Sequence, residues 1–211
     1  MADGAVTAVR IRAAAAGAAD WAALSLRIRG CVACTELAAT RTSVVVGQAP
    51  ARARLLLLGE APGAQEDARG EPFVGRAGQL LDRTLEEVGL SRESVAVLNI
   101  LKCRPPGNRR PSPEEALRCR GWLDRQLDML APTLVVTLGT TAAVALLGRV
   151  PSLASVRGRV HEVIGPGLGA LSVLPTYHPS AALRFGPAGE PLRALRADFE
   201  LAARLVAVPA A

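Results

Sequence analysis

The four cysteines of the chain have a spacing that suits a metal centre. Cys31 and Cys34 form a C-x2-C pair, and Cys103 and Cys119 follow in the pattern x68-C-x15-C. Four thiolates can hold a structural zinc ion or a [4Fe–4S] cluster, and a C-x2-C pair places two sulfurs on one side of either. A zinc ribbon normally has a second short pair, so the wide second spacing favours iron–sulfur; four unrelated buried thiols are the alternative. Since no dinucleotide fingerprint accompanies the cysteines, we expect the centre to be structural.

The two histidines stand in different surroundings. His178 follows a buried apolar run and precedes Pro179, which restricts the backbone of His178. His161 lies in an alternating stretch and should face solvent or a neighbouring strand. His178 is therefore the candidate for chemistry, although a lone histidine does not by itself indicate a site.

Alternating strands and helices are predicted to position these residues. Continuous apolar runs predict four buried strands, at 55–58, 95–100, 134–138 and 171–174. Helical spacing predicts helices over 20–37, 79–90, 113–130, 140–147 and 192–206, and a capping box at Ser112 to Glu115 opens the third of these. The order implies a three-layer α/β/α sandwich with a mostly parallel four-stranded central sheet. Ligands bind at the carboxyl ends of such strands, where the loops 59–63, 102–110 and 177–180 lie.

Composition limits the class of protein. The 211 residues are 50% hydrophobic and 21% charged, which is too apolar for a disordered chain and enough for one core. We expect residues 1–18 to be an alanine-rich tail, flexible or loosely helical, and residues 19–211 to be a single domain. Arginines or prolines interrupt every apolar stretch that could span a membrane, and Arg10 and Arg12 interrupt the run that a signal peptide needs. We therefore expect a cytoplasmic protein.

The charge of the chain is basic and comes almost wholly from arginine. The net charge is +6, and Lys102 is the single lysine. A polyanionic partner and GC-rich coding both account for this composition. Aromatic residues make up only 3% of the chain, which argues against an extended stacking platform for single strands.

Several ordered motifs together resemble the family 4 uracil-DNA glycosylases, over roughly residues 24–206. The motifs are GEAPG at 59–63 with Glu66 and Asp67, PFVGRAG at 72–78, Asn99, KCRPPGNR at 102–109, and the sequence His178-Pro179-Ser180. The four cysteines also have the spacing that this family uses for its cluster. The resemblance therefore implies that Cys31, Cys34, Cys103 and Cys119 bind one [4Fe–4S] cluster.

The resemblance also implies roles for three residues that would handle the base. Phe73 matches the ring that stacks on uracil, and Asn99 matches the asparagine that reads its edge. An amide can donate to O4 and accept from N3–H, a pattern that cytosine reverses. His178 matches the histidine that stabilises the charge developing at uracil O2. An ordinary core ring and a backbone-capping amide are the alternatives for Phe73 and Asn99.

Glu60, Ala61 and Glu66 are further candidates in the first loop. Another glycosylase family has a water-positioning aspartate where this chain has Ala61, so Ala61 is expected to line the pocket without acting as a base. The resemblance then implies that uracil leaves first as an anion and that water arrives late. Glu60 is a further catalytic candidate. Glu66 either lines the pocket beside uracil C5, where it would exclude the methyl group of thymine, or caps a helix or loop.

The remaining candidates would contact the DNA backbone or fill the space left by the base. Leu183 is the expected wedge, because it follows the His-Pro-Ser motif. Phosphate contacts are sequence-independent and suit basic and hydroxyl side chains on one edge of the sheet. These candidates are Arg104, Arg109, Arg110, Ser180 and Arg184.

Taken together, the resemblance implies a monofunctional glycosylase that hydrolyses the N-glycosidic bond of deoxyuridine in DNA and leaves an abasic site. One alternative is a non-catalytic iron–sulfur protein on the same fold that binds nucleic acid. Another is a related enzyme that becomes covalently attached to DNA, but its inserted loop carries a histidine and residues 102–112 have none. We expect a monomer that acts on uracil-containing DNA and does not associate with membranes; the sequence leaves recruitment by a sliding clamp open.

Overall fold

The computed structural model describes residues 2–165 and 169–207; Met1 and residues 208–211, the outer ends of the predicted tail and domain, lie outside that description. The strands are β1 (Leu55–Gly59), β2 (Ala96–Asn99), β3 (Leu134–Leu138), β4 (His161–Gly165) and β5 (Gly169–Thr176). They form one sheet in the order β2-β1-β3-β5-β4. Four of them are parallel, and β4 pairs antiparallel with β5 at the edge.

The sheet therefore has five strands, and the prediction of four was wrong. The missing strand, β4, pairs His161 with Val173 and Ile164 with Ala170. A strand at the edge of a sheet that is covered on just one side has no continuous apolar run in its sequence. In β4, Ile164 is exposed, which shows that little of this strand is buried. The alternation around His161 was the available signal for this strand.

Helices cover both faces of the sheet, which confirms the predicted α/β/α arrangement. Alternate strand residues point to opposite faces: Leu57 and Val136 pack on one side, and Leu56 and Val135 on the other. The described helices are α1 (Ala2–Ala16), α2 (Trp21–Arg29), α3 (Thr35–Thr40), α4 (Ala64–Arg69), α5 (Arg76–Glu87), α6 (Pro113–Leu130), α7 (Thr140–Leu147), α8 (Leu153–Val156), α9 (Pro179–Phe185) and α10 (Glu190–Ala207). Helices α5 and α10 contribute to the first face, and α6 and α7 to the second.

The alanine-rich N-terminal segment forms a packed helix, where the sequence predicts a tail that is flexible or loosely helical. Ile11 and Ala15 of α1 are buried. At the crossing with α6, a Cβ added to Gly121 would lie 2.9 Å from the backbone nitrogen of Arg12. Alanine has the highest helix propensity, and small side chains allow this close approach. Among the described residues no helix has the length and apolarity to cross a membrane.

Candidate active site and cysteine pocket

An open cavity of about 590 Å³ lies at the carboxyl ends of the parallel strands. The loops after β1, β2 and β5 contribute most of its walls, as the topology predicts. Most predicted site residues meet there: Glu60, Ala61, Glu66, Phe73, Asn99, Arg109, Arg110, His178, Ser180 and Arg184 line it. Arg104 and Leu183 are not among the residues that line it.

Phe73 and Asn99 meet over the end of β1. Asn99 is the last residue of β2, is buried, and pairs in register with Gly59. A Cβ on Gly59 would lie 2.3 Å from Asn99 Oδ1 and 2.6 Å from Phe73 Cζ, so only glycine leaves room for both side chains. Phe73 adopts a φ of 54°, a strained conformation for a bulky residue that is often found at functional sites. Gly78 allows it, because a Cβ there would clash with the Phe73 carbonyl at 1.7 Å.

His178 faces Phe73 across the cavity, and its ring orientation is fixed by Ser180. The two ring centroids are 5.7 Å apart. The backbone N–H of Ser180 donates to His178 Nδ1 at 3.1 Å, and the Ser180 hydroxyl lies 2.8 Å from the same nitrogen. An N–H group can only donate, so Nδ1 accepts and the proton of the neutral ring is on Nε2. Burial lowers the pKa of His178 to about 4, with Glu66 acting in the opposite direction. At neutral pH the half-buried ring is therefore an uncharged Nε2–H donor.

Glu66 holds the loop that carries Phe73. Its carboxylate accepts hydrogen bonds from the backbone N–H groups of Val74 at 3.0 Å and Gly75 at 2.8 Å, and from Gly63 at 3.1 Å. These bonds give Glu66 the capping role that the sequence left as one of two alternatives. Because Glu66 also lines the cavity, the structure is compatible with both roles.

The basic residues at the rim differ in how strongly they are already paired. Arg109 makes two hydrogen bonds to the carboxylate of Glu115, at 2.7 and 2.9 Å, and one to Glu36 at 2.8 Å. Arg104 donates to Asn108 at 2.7 Å. Arg110 and Arg184 are exposed at the cavity mouth. The structure thus gives Arg109 a role in fixing the 102–110 loop, which the sequence reasoning did not find.

The four cysteines gather around a second pocket, behind the 102–110 loop. All four line this small pocket, together with Arg41, Lys102 and Arg118. Burial raises the pKa of the Cys34 thiol to about 11 and that of Cys119 to about 12; the cations Arg118 and Lys102, respectively, act in the opposite direction. Within the described ranges no three ligating side chains converge as they would on a single metal ion. The four thiols thus surround one shared pocket, and the side chains of Arg41, Lys102 and Arg118 place positive charge beside them.

Two further groups near the cavity were missed at the sequence level. Tyr177 lines the cavity, and the guanidinium of Arg157 stands 5.7 Å from its ring centroid. Arg157 in turn makes two hydrogen bonds to the buried carboxylate of Asp198. The position of Tyr177 beside His178 was the only available signal. His161 is not among the residues that line the cavity, and its Nε2 is 2.8 Å from the carbonyl of Val156.

Comparison with known proteins agrees with the motifs. The model of the uracil DNA glycosylase superfamily matches residues 46–200. A type-4 uracil-DNA glycosylase of Thermotoga maritima is 44% identical over 162 residues, which cover 76% of this chain and 82% of that protein. Type-4 enzymes of Archaeoglobus fulgidus and Saccharolobus solfataricus are each 42% identical, over 74% of this chain and over 79% and 74% of their own lengths. These similarities confirm the resemblance to uracil-DNA glycosylases that the motifs indicate.

Proposed function

The chain belongs to the uracil DNA glycosylase superfamily, and we propose that it hydrolyses the N-glycosidic bond of deoxyuridine in DNA, releasing uracil and leaving an abasic site. The observation that carries this proposal is the meeting of Phe73, Asn99 and His178 in one cavity. All three relatives described above are named as glycosylases, so the non-catalytic alternative has no support.

Asn99 and Phe73 would recognise the extruded base. A glycosylase that acts on a base in DNA takes it out of the stack, reads its Watson–Crick edge and stacks on its face. The carboxamide of Asn99 matches O4 and N3–H of uracil, whereas cytosine presents a donor and an acceptor in the reversed order. The ring of Phe73 supplies the stacking surface. Its φ of 54°, the absence of a side chain at Gly59 and the backbone hydrogen bonds that Glu66 accepts hold that ring against the amide.

His178 would stabilise the leaving group. As the glycosidic bond breaks, negative charge builds on uracil O2, and a neutral Nε2–H donor already oriented toward the cavity lowers the energy of that charge. The bonds from Ser180 fix the tautomer before the substrate binds. The side chain of Ala61 offers no acceptor for a water proton, so most of the rate enhancement would come from stabilising the departing uracil. Glu60 lines the same cavity and remains a candidate for orienting the late-arriving water.

The rim would bind DNA phosphates. Arg110 and Arg184 are exposed at the cavity mouth and are the best placed for such contacts. Ser180 is engaged with His178, and Arg109 with two carboxylates, so each would contact DNA with its remaining donors. Leu183 would be the wedge, because α9 begins at the cavity and Leu183 is partly exposed on this helix. Arg104 would be a further phosphate contact. We also propose that the protein acts as a cytoplasmic monomer.

The cysteine pocket fits a [4Fe–4S] cluster. Four thiols surround one volume, three cations stand beside them, and the donor set is all sulfur. Cys31, Cys34, Cys103 and Cys119 would hold the cluster. When bound, it would supply a covalent link between the 31–34 turn, the 102–110 loop and α6. The reaction itself needs no electron transfer.

An assay of base release tests the proposed function. Protein purified without oxygen is incubated in EDTA with an oligonucleotide that contains one uracil, and a matched oligonucleotide with thymine is the control. Alkaline treatment after the incubation breaks the strand at any abasic site, and we expect this cleavage only for the uracil substrate. Uncleaved uracil substrate would contradict the proposal.

The cofactor is tested separately. Iron and sulfide analysis should give one four-iron cluster per chain, and the protein should be brown, with broad absorption near about 400 nm. Colourless, zinc-loaded protein with full activity would exclude the cluster but leave the proposed reaction intact.

A further inference from the structure

Lys102 is the single lysine of the chain, and its side chain is buried. It is 2% exposed and is one of the largest side chains that are fully buried in the described part of the chain. Its Nζ donates to the backbone carbonyl of Asn99 at 2.7 Å. A charged group is almost never fully buried without a partner, because removing an ammonium from water is costly. The groups around Lys102 must therefore stabilise the ammonium enough to offset its loss of hydration.

One side of Lys102 faces the active site. The carbonyl that accepts its hydrogen bond belongs to Asn99, whose side chain lies against the Phe73 ring at the end of β1. After Asn99 the chain leaves the sheet, and the N–H groups of Ile100 and Leu101 bond back to Gly59 and Glu60. Lys102 adds a charge-assisted bond at the point where the strand ends. Such bonds are shorter and stronger than bonds between neutral groups.

The other side of Lys102 faces the cysteines. Lys102 and all four cysteines line the same pocket. Arg41 is a second cation in this place, and it donates to Cys103 Sγ at 3.0 Å. A tetrathiolate centre is anionic, so these cations supply its counter-charge.

We propose that Lys102 is a positioning residue that couples the cysteine centre to base recognition. Its ammonium balances the charge of the thiolate centre and at the same time holds the backbone of Asn99 in the conformation that reads uracil. This inference rests on the cluster and the base-reading role given above. It assigns a function to a residue that lies outside the cavity and touches neither uracil nor iron. The sulfur centre then does more than link chain segments, because it retains the cation that orders the recognition strand.

Selective labelling tests the coupling without any substitution. Growth on lysine labelled with ¹⁵N at Nζ places one side-chain label in the chain, because Lys102 is the only lysine. We expect its signal to differ from that of a solvated lysine and to shift when free uracil is added to the cluster-loaded protein. A chemical shift like that of a solvated lysine would overturn the inference. So would a chemical shift that does not change when free uracil is added to saturation.

Substitution separates the two contacts. Lys102→Met keeps a long apolar side chain but removes the charge and the bond to Asn99. We expect it to shift the cluster's midpoint potential to a more negative value and to weaken binding of free uracil about tenfold, the cost of one charge-assisted hydrogen bond. Lys102→Arg keeps the charge and should hold the potential closer to that of the wild type. Arg41→Met is the matched control: it removes a cation beside Cys103 but no contact to Asn99, so it should move the potential and not the uracil affinity.

The outcomes distinguish this inference from the proposed function. Wild-type protein that lacks iron or does not release uracil contradicts the proposed cofactor or reaction. Wild-type protein that has both, together with a Lys102→Met variant of unchanged potential and unchanged uracil affinity, contradicts only the role of Lys102. If Lys102→Met does not fold, the labelled wild-type protein still decides the question.

Discussion

Replacing His178 with alanine removes the ring donor that faces Phe73 in the cavity. The Nε2–H of His178 is oriented because Nδ1 accepts from the backbone of Ser180. A donor that is fixed in advance needs no reorganisation as charge develops on the leaving uracil, and removing one such donor costs about 10²- to 10³-fold in rate. The ring also packs 5.7 Å from that of Phe73, centroid to centroid, so alanine leaves the stacking ring less supported. We therefore expect His178→Ala to lose at least about 10²-fold in single-turnover release of uracil.

The assay for this variant must separate chemistry from binding. Single-turnover rates with excess enzyme report the chemical step, and DNA affinity and the visible spectrum are measured on the same preparation. Both should stay close to wild type, since His178 does not line the cysteine pocket. His161→Ala is the matched control, because its ring contacts the Val156 carbonyl and does not line the cavity. A His178→Ala variant with near wild-type single-turnover rates would refute the mechanism, and Glu60 would become the next candidate.

Three further predictions concern the same cavity. Burial lowers the pKa of His178 to about 4 from an ordinary 6.5, so the active neutral ring persists as the pH falls; the single-turnover rate should hold through pH 6.5 and decline toward pH 4, whereas a decline centred near 6.5 would show an unshifted ring. Gly59→Ala places a methyl 2.3 Å from Asn99 Oδ1; the displaced amide should cost about 10²-fold in kcat/KM, and Gly30→Ala, with 3.7 Å to the nearest atom, is the control. Asn99→Asp keeps the shape but exchanges a donor for an acceptor, so uracil release should fall about 10- to 100-fold and the preference should shift toward cytosine; unchanged uracil release would remove Asn99 from base reading.

The buried parallel strands could be predicted closely from the sequence. Strand β3 has the predicted bounds, and β1 is one residue longer than predicted. A strand that is covered on both faces has a continuous apolar run in its sequence, which makes such strands easy to predict. The capping box at Ser112 likewise forms as predicted. The edge strand β4 and the packed helix α1 could not be predicted in this way. Their stability comes mainly from packing on β5 and on α6, respectively, and these contacts leave no local pattern in the sequence.

The site shows the same division. Motifs placed Phe73, Asn99 and His178 at the carboxyl edge, and the sheet brings them together. The pairing of Arg109 with Glu36 depends on a contact between segments 73 residues apart, which no local pattern records. The burial of Lys102 has the same origin: its environment comes from the fold, and the sequence shows only that the chain has no other lysine.

Identification of the released base tests the central claim most directly. Wild-type protein with its cluster intact is incubated with three oligonucleotides that differ only in carrying uracil, cytosine or thymine at one position, and the free bases are identified by mass spectrometry. The cavity formed by Phe73, Asn99 and His178 predicts free uracil from the first oligonucleotide and no free base from the other two. Absence of uracil, or release of cytosine or thymine at a comparable rate, would contradict it.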